Sequence, residues 1–130
     1  EPVVIDYDKI PSAIYLNPEI ASVGLTEEQA RKKYGKVQIG RFPLYASGKS
    51  LVEGDGRGLV KVIAEPKYNE IVGVHLYCSH ATEMITEAVT AMTLEGTAEE
   101  MELVIHPHPT VSEALMEAIW AVNGKTIHFM

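Results

Sequence analysis

Two short segments rich in β-branched residues, 59–65 (LVKVIAE) and 71–77 (IVGVHLY), constrain the fold of this 130-residue sequence more than any other feature. The five residues between them, 66–70, begin with proline and include asparagine, which is typical of a turn. Extended segments joined by so short a turn pair as an antiparallel hairpin. The sequence therefore predicts an antiparallel sheet built around this hairpin.

Three further extended segments precede the hairpin and enlarge the predicted sheet. Residues 13–16 and 20–25 are predicted as strands on either side of an Asn-Pro-Glu turn, and 37–45 as a strand with partial alternation. Pro43 cannot donate a hydrogen bond to a neighbouring strand, so it favours an edge position or a bulge. Residues 46–58 are rich in glycine and polar side chains, which predicts a loop with room for one helical turn.

Helices are predicted from apolar spacing and from capping boxes, in which Ser or Thr and a Glu or Gln three residues later satisfy free amides at a helix start. Apolar side chains at helical spacing predict one helix over 79–94. Three capping boxes predict three more helix starts: Thr26 with Gln29, Thr97 with Glu100, and Thr110 with Glu113. The predicted helix ends are Gly35, residue 102 and Asn123-Gly124.

Strands come first in the sequence and helices cluster later. This order predicts an α+β fold, in which an antiparallel β-sheet has helices packed on one face. Residues 103–105 (LVI), between two predicted helices, are expected to form a buried connector. The length suits a single domain over 1–130, which can bury a core without disulfides or a structural metal.

Charge, hydropathy and cysteine content exclude several functions. The net charge is −7, which opposes nucleic-acid binding because phosphates require clustered Lys and Arg. No apolar run approaches the roughly 20 residues that span a bilayer, so no membrane partner is expected. Cys78 is the one cysteine. It cannot form an internal disulfide, and we expect a buried thiol.

The segment 106–113 (HPHPTVSE) is the most specific candidate for a chemical function. Imidazole titrates near neutral pH, which makes a positioned histidine a general acid or base. A carboxylate against the other ring nitrogen fixes the tautomer and stabilises the imidazolium. His108 precedes the last helix and Glu113 lies in its first turn, so the two side chains can meet. Pro109 restricts the His108 backbone, with a cis peptide as one option.

Structural roles account for the same segment without catalysis. Glu113 occupies a capping-box position, and both histidines can be ordinary turn residues. A metal site is a third alternative, because zinc sites use Cys and His. The candidate ligands are His75, Cys78, His80, His106 and His108. One cysteine with scattered histidines matches no strong ligand spacing, so no metal is expected.

Four ordered motifs resemble the dimerisation domain of the flavin-dependent pyridine nucleotide–disulfide oxidoreductases. IPSAIYLNPEIASVGLTEEQA (10–30) is similar to the run that opens this domain, and VKVIAEPKYNEIVGVHL (60–76) to its central hairpin. CSHATEMITEAV (78–89) is similar to its long helix, although many members have Gly-Pro in place of Cys78-Ser79. HPHPTVSEALMEA (106–118) resembles the family's terminal active-site motif. The resemblance extends from about Ile10 to Lys125.

Within the family, the pattern HxHPTxSE and the ending AVNGKTIHF most resemble the dihydrolipoamide dehydrogenases. Glutathione reductases tend to lack the first histidine of the pattern. Mercuric reductases usually carry two cysteines near the carboxy terminus. Another reductase of these types is one alternative, and a non-catalytic interaction domain of the same fold is a second.

The resemblance implies roles for three residues. His108 would be the acid–base group that takes a proton from dihydrolipoamide, and Glu113 would orient and charge-stabilise His108. His108 and Pro109 would lie near the flavin in the full-length enzyme. Because the motif reaches into the partner subunit in this family, the active site would be shared across a homodimer.

The resemblance also implies what the rest of the enzyme supplies. FAD, NAD and the redox disulfide would be held outside this sequence, so we expect no cofactor on this chain alone and no activity without the other domains. The sequence does not begin with methionine, which we expect either of a piece of a longer flavoenzyme or of a processed chain. The expected partners are a second copy and the lipoyl domains of 2-oxoacid dehydrogenase complexes. The expected location of the enzyme is the cytoplasm of a bacterium, or the mitochondrial matrix if the source is eukaryotic.

A dimerisation domain is expected to expose apolar side chains when its partner is absent. The candidates are Trp120, Ile127, Phe129, Met130 and the methionines of the 79–94 helix, Met84 and Met92. An ordinary place in the core is the alternative, above all for the two helix methionines.

Overall fold

The computed structural model describes residues 1–129, and its central feature is a five-stranded antiparallel sheet. The strands are β1 (Ser12–Ile14), β2 (Glu19–Gly24), β3 (Gln38–Pro43), β4 (Leu59–Ala64) and β5 (Ile71–Cys78). Their spatial order is β1-β2-β5-β4-β3, and each neighbouring pair is antiparallel. The predicted hairpin is confirmed as β4 and β5, and β5 is the central strand of the sheet.

Five helices accompany the sheet in the described part of the chain. They are α1 (Glu27–Tyr34), α2 (Gly48–Val52), α3 (Ala81–Thr93), α4 (Ala98–Met101) and α5 (Glu113–Val122). Short 3-10 turns lie at Tyr7–Lys9 and Leu44–Ala46. The helical turn expected within the 46–58 loop is confirmed as α2. No helix within residues 1–129 is long and apolar enough to cross a membrane.

The main core lies between one face of the sheet and helices α3 and α5. Val60 and Val62 of β4 pack there with Leu115 and Ile119 of α5, and each of the four is at most 1% exposed. Alternating strand residues thus meet one apolar face of a helix. The predicted α+β fold is confirmed, with α3 and α5 on one face of the sheet.

Helix α1 differs from that prediction because it covers the opposite face. Its Ala30 packs with Ile63 of β4 and with Val37 and Val72 in a second, smaller buried cluster. Successive strand residues point to opposite faces, so Ile63 faces away from its neighbour Val62. A strand that is apolar on both faces needs cover on both sides, and α1 supplies it.

Helix α5 approaches the edge strand β3 unusually closely at Gly40. A Cβ at Gly40 would lie 1.9 Å from the carbonyl oxygen of Ala118 and 2.7 Å from the amide nitrogen of Val122. Only glycine permits this approach. Pro43 ends the same strand, and the predicted edge position is confirmed. The close packing holds α5 against the sheet and so fixes where its first turn lies.

Two of the three predicted capping boxes are confirmed in full. At the start of α1, the Gln29 amide donates to the Thr26 hydroxyl and the Thr26 amide donates to the Gln29 side chain. Thr97 and Glu100 make the same reciprocal pair at the start of α4. In both helices local sequence alone sets the starting residue.

The third predicted capping box, at Thr110 and Glu113, is wrong as a complete box. The N-cap residue of α5 is Ser112, which makes no side-chain cap. Glu113 does accept a hydrogen bond from the Thr110 amide at 2.8 Å. The Thr110 hydroxyl, however, donates to the Pro107 carbonyl at 2.8 Å instead of accepting from the helix. The Glu113 carboxylate is therefore directed to the loop that precedes α5.

The predicted buried connector at 103–105 is also wrong. Leu103, Val104 and Ile105 are 80%, 40% and 93% exposed. Apolar composition does not distinguish a residue that enters the core of its own domain from one that stays on the surface. The segment instead forms an exposed apolar run that leads directly into the 106–113 segment.

Candidate active site

Hydrogen bonds within residues 107–113 set the position of His108 at the start of α5. The Thr110 hydroxyl donates a hydrogen bond to the Pro107 carbonyl, and the Thr110 amide donates one to the Glu113 carboxylate. Thr110 therefore connects the two ends of the loop. The His108–Pro109 peptide bond is cis, one of the two options expected from the sequence. The loop therefore holds the His108 backbone beside the first turn of the helix.

His108 and Glu113, the two predicted catalytic residues, are brought together by this loop. The Nδ1 atom of His108 lies 2.9 Å from Oε1 and 3.2 Å from Oε2 of Glu113. An ionised carboxylate can only accept, so Nδ1 must donate and the neutral ring keeps its lone pair on Nε2. The His108 side chain is 80% exposed. The arrangement thus presents an oriented imidazole base on the surface.

Two opposing effects set the charge of Glu113. Partial burial raises the pKa of this carboxyl, but the hydrogen bonds from the Thr110 amide and from His108 outweigh burial and lower the pKa below its ordinary value. His106 lowers it further through its charge. Glu113 is therefore ionised at neutral pH and can stabilise an imidazolium at His108.

His106 occupies a different environment, although it is only two residues away. Its side chain is 4% exposed, and its Nε2 atom lies 2.7 Å from Oε1 of Glu87 on α3. The hydrogen bond to Glu87 raises the pKa of His106 above its ordinary value, against the effect of burial. The two predicted turn histidines therefore differ: His108 is available to a ligand and His106 is not.

A pocket of about 240 Å³ opens beside the His108–Glu113 pair. Its walls include Phe42 and Leu51 together with two His–Glu pairs, His108 with Glu113 and His128 with Glu117. The pocket is thus lined both by apolar side chains and by carboxylates and imidazoles. Such a combination suits an organic ligand with one polar end.

Glu117 is a buried carboxylate that holds the carboxy-terminal segment. It is 2% exposed, and it accepts hydrogen bonds from the Thr126 hydroxyl at 2.6 Å and from the Ile127 amide at 2.9 Å. The ring of His128 donates to it through Nδ1. Burial raises the pKa of Glu117, but these hydrogen bonds outweigh burial and lower it. The anion is therefore kept in the interior by donors from residues 126–128.

Two residues that line the pocket, Glu117 and His128, and the His106 partner Glu87 were not predicted from the sequence. Glu117 follows Glu113 by four residues, a spacing that places both on one side of a helix and offers a signal for it. His128 has the weaker signal of a histidine near the end of the chain. Glu87 offers no sequence signal, because it lies on helix α3, 19 residues before His106 in the loop that precedes α5.

The residues weighed as metal ligands are not gathered into one site. His75 lies 2.9 Å from the Leu25 carbonyl oxygen through Nε2, and His80 lies 3.0 Å from a Glu53 carboxylate oxygen. Cys78 is fully buried, as predicted, and burial raises the pKa of its thiol to about 12. Within residues 1–129, no group of three or more His, Cys, Asp or Glu side chains is arranged to hold a metal ion.

The candidate interface residues divide between surface and core. Met84 and Met92 are 6% and 5% exposed and belong to the core, so the interface interpretation of the helix methionines is wrong. Trp120 is half-buried, and its indole N–H donates to the Glu102 carbonyl at 3.3 Å. Ile127 and Phe129 are exposed. Met130 lies outside the described residues.

Comparison with known proteins agrees with the motifs. The sequence profile of the family described as pyridine nucleotide-disulphide oxidoreductase, dimerisation domain, matches residues 10–119. The chain is 48% identical to the dihydrolipoyl dehydrogenase of Bacillus subtilis, in an alignment that covers 98% of this chain and 27% of that protein. Over 95% of its length it is 43% identical to 25% of the mitochondrial dihydrolipoyl dehydrogenase of Pisum sativum.

A solved structure supports the same assignment of the fold. The HOCl-induced flavoprotein disulfide reductase RclA from Escherichia coli superimposes with a TM-score of 0.80 at 30% identity, over 85% of this chain and 25% of that chain. The chain therefore spans about a quarter of the length of the curated relatives it matches. The profile match and the two dehydrogenase relatives confirm the resemblance, and the chain belongs to the pyridine nucleotide-disulphide oxidoreductase family as its dimerisation domain.

Proposed function

We propose that this chain is the homodimerisation domain of an NAD-dependent dihydrolipoyl dehydrogenase, and that its His108–Glu113 pair serves the active site of the partner subunit. Relatives of that name at 43% and 48% identity support the enzyme class. One observation carries the chemical part of the proposal: Nδ1 of His108 is bonded to Glu113 at 2.9 Å while the ring is 80% exposed. The same hydrogen bond favours a catalytic role over a purely structural interaction domain.

The proposed step is a proton transfer from dihydrolipoamide to His108. The S–H bond of one substrate thiol breaks, its proton moves to the Nε2 lone pair, and the thiolate becomes free to attack a disulfide. His108 is then an imidazolium, and the ionised Glu113 stabilises it through Nδ1. The Thr110 amide holds the carboxylate in place throughout, because it bonds to Glu113 at 2.8 Å.

Groups outside this chain complete the proposed site. The one cysteine of the sequence, Cys78, is fully buried and un-ionised, so the reacting disulfide must come from another part of the enzyme. His108 and Pro109 are both exposed, which leaves the edge they form free to lie near a flavin. In the full-length enzyme, bound FAD would supply the electron-transfer chemistry between the reduced disulfide and NAD. This chain contributes proton transfer and subunit contact.

The remaining parts of the proposal concern the whole protein. Residues 1–130 form one module of a longer flavoenzyme, and its partners are a second copy and the lipoyl domains of a 2-oxoacid dehydrogenase complex. The proposed location is the bacterial cytoplasm, with the mitochondrial matrix as the equivalent in a eukaryote, and relatives of both kinds match this chain.

The test of the catalytic role is the substitution His108→Gln in the full-length enzyme. We expect kcat for dihydrolipoamide oxidation to fall by roughly 10³-fold, within the range that a lost general base produces. His75→Gln is the control, since it removes another imidazole, one that lies against the Leu25 carbonyl on the opposite face of the sheet. A His108→Gln enzyme within twofold of the unmodified rate would reject the role.

A subunit-mixing experiment tests whether the site is shared. Dimers carrying His108→Gln are mixed, under conditions that exchange subunits, with dimers whose redox cysteines are replaced by serine. Random exchange gives about a quarter of the full activity, because half of the dimers then contain one complete site. No recovery in verified mixed dimers would mean that His108 acts within its own subunit.

A further inference from the structure

The buried His106 is bonded on both sides by oxygen atoms that can only accept. Nε2 lies 2.7 Å from a Glu87 carboxylate oxygen, and Nδ1 lies 3.3 Å from the Val104 carbonyl oxygen. A neutral imidazole has one donor nitrogen and one acceptor nitrogen, so it satisfies only one of these partners. The protonated ring donates to both. The geometry therefore points to an imidazolium at His106.

The His106 imidazolium lies in the same short segment as His108 and so affects where the His108 ring is held. Only Pro107 separates the two histidines, and Glu87 belongs to α3, which packs into the main core. The His106–Glu87 contact thus fastens the beginning of the 106–109 segment to a rigid helix. Glu113 fastens the end of the same segment through the Thr110 amide. The exposed ring of His108 is held between two anchors.

We propose that His106 and Glu87 are a positioning pair for His108, which fixes the 106–109 segment to α3 and adds a positive charge behind Glu113. This inference rests on the proposed acid–base role of His108. His106 is a positioning residue and not a catalytic one, because its side chain is 4% exposed and cannot reach a substrate.

The charges around His106 support this arrangement. The ionisable groups that act on it are Glu87 of α3 and Glu113 of α5, and both raise its pKa, with the hydrogen bond to Glu87 as the largest effect. In return, His106 lowers the pKa of Glu113. Negative and positive groups therefore alternate from Glu87 through His106 and Glu113 to His108. Loss of the His106 charge weakens the ionised form of Glu113, on which His108 depends.

The experiment compares Glu87→Gln, Glu87→Asp and His108→Gln in the full-length dimeric enzyme. We expect Glu87→Gln to lower kcat roughly tenfold with little change in KM for dihydrolipoamide, because a displaced base affects the chemical step more than substrate binding. The acid limb of the pH profile of kcat/KM is expected to move to higher pH, since a positive charge near His108 is lost. Glu87→Asp keeps the charge and is expected to restore most of kcat.

Glu27→Gln is the control, because it removes a glutamate from an ion-pair cluster on helix α1, which covers the opposite face of the sheet from the site. Sedimentation mass and FAD content verify that each variant is folded and dimeric. If Glu87→Gln does not assemble, His106→Gln carries the test, because it removes the imidazolium directly and is expected to move the same pH limb. If His108→Gln lowers kcat but the Glu87 variants leave kcat and the pH profile unchanged, the positioning role is overturned and the proposed function stands. A fast His108→Gln enzyme overturns the proposed function instead.

Discussion

Helix α5 carries two glutamates one turn apart, Glu113 and Glu117, and each of them meets a histidine ring through Nδ1. The histidine is the more exposed partner in both pairs, and the pairs differ in how deeply the carboxylate is buried. Glu113 is 23% exposed beneath an 80% exposed His108, whereas the Glu117 side chain is 3% exposed beneath a 66% exposed His128. Both carboxylates line the same pocket. The same chemical pair is therefore built into two environments that differ mainly in the burial of the carboxylate.

The hydrogen-bond donors around each glutamate explain what this difference means. Glu113 accepts one backbone amide besides the histidine, so it has capacity left to respond to the charge of His108. Glu117 accepts from a hydroxyl and two backbone amides of the carboxy-terminal segment as well as from the His128 ring. A buried carboxylate surrounded by donors is an anchor for chain structure. A partly exposed one beside a free imidazole is suited to proton transfer.

The strongest test of the contrast is the substitution Glu117→Ala. It leaves the donors of residues 126–128 without their acceptor, and we expect the free energy of unfolding to fall by about 3 kcal/mol. Chemical denaturation of the full-length enzyme, followed by the fluorescence of Trp120 in this domain, measures the change. A loss below about 0.5 kcal/mol would show that Glu117 is not an anchor.

Glu113→Gln is expected to produce the opposite pattern. We expect kcat to fall roughly 30-fold, equivalent to about 2 kcal/mol in the activation barrier, because a neutral amide stabilises the imidazolium poorly. The free energy of unfolding should change by less than about 1 kcal/mol, since the amide oxygen can still accept from Thr110. Parallel kinetics and denaturation of the two variants measure both patterns. Equal effects on stability would remove the distinction between the glutamates.

The pH dependence of stability sharpens the comparison for Glu117. Its pKa is lowered in the folded protein, so its contribution is present above the unfolded value and is lost as pH falls through the lowered folded value. We expect Glu117→Gln to reduce the difference in stability between pH 7 and pH 3 by about 1 kcal/mol. Urea unfolding at the two pH values measures this. An unchanged difference would mean that other carboxylates dominate acid unfolding.

The smallest effect is expected for His128→Asn. The side chain of His128 is 66% exposed, so its contact with Glu117 is weakened by solvent. Asparagine keeps a donor for the carboxylate, and we expect a loss of about 0.5 kcal/mol or less. Thermal unfolding of His128→Asn and of Glu117→Ala compares how much stability is lost when each partner of the His128–Glu117 contact is replaced. A loss as large as that of Glu117→Ala would transfer the anchoring role to the imidazole.

Local sequence signals predicted those parts of the fold that depend on neighbouring residues. The hairpin of β4 and β5 follows from two β-branched runs and a short turn, and the starts of α1 and α4 follow from their capping boxes. The contact of His108 with Glu113 followed from a spacing of five residues and the motif around it. In each case the interacting groups lie close together along the chain, so spacing is informative.

Features that depend on tertiary packing could not be predicted in this way. The contact of His106 with Glu87 joins a loop to a helix 19 residues earlier, and that of His128 with Glu117 requires the chain end to fold back. The exposure of Ile105 depends on what packs over it, which apolar composition does not specify. Burial of charged partners across elements is therefore visible only in the folded structure.

Cys78 has a consequence for any thiol chemistry carried out on this protein. Its sulfur lies in the core at 0% exposure, and burial raises the pKa of the thiol to about 12. Disulfide exchange proceeds through the thiolate, so Cys78 cannot form a mixed disulfide with lipoyl groups, glutathione or aromatic disulfide reagents while the domain is folded. In a colorimetric count of reactive sulfhydryls we expect Cys78 to add nothing while this domain is folded and to add one sulfhydryl per chain after denaturant is added. It thereby serves as an internal reporter of whether this domain has opened.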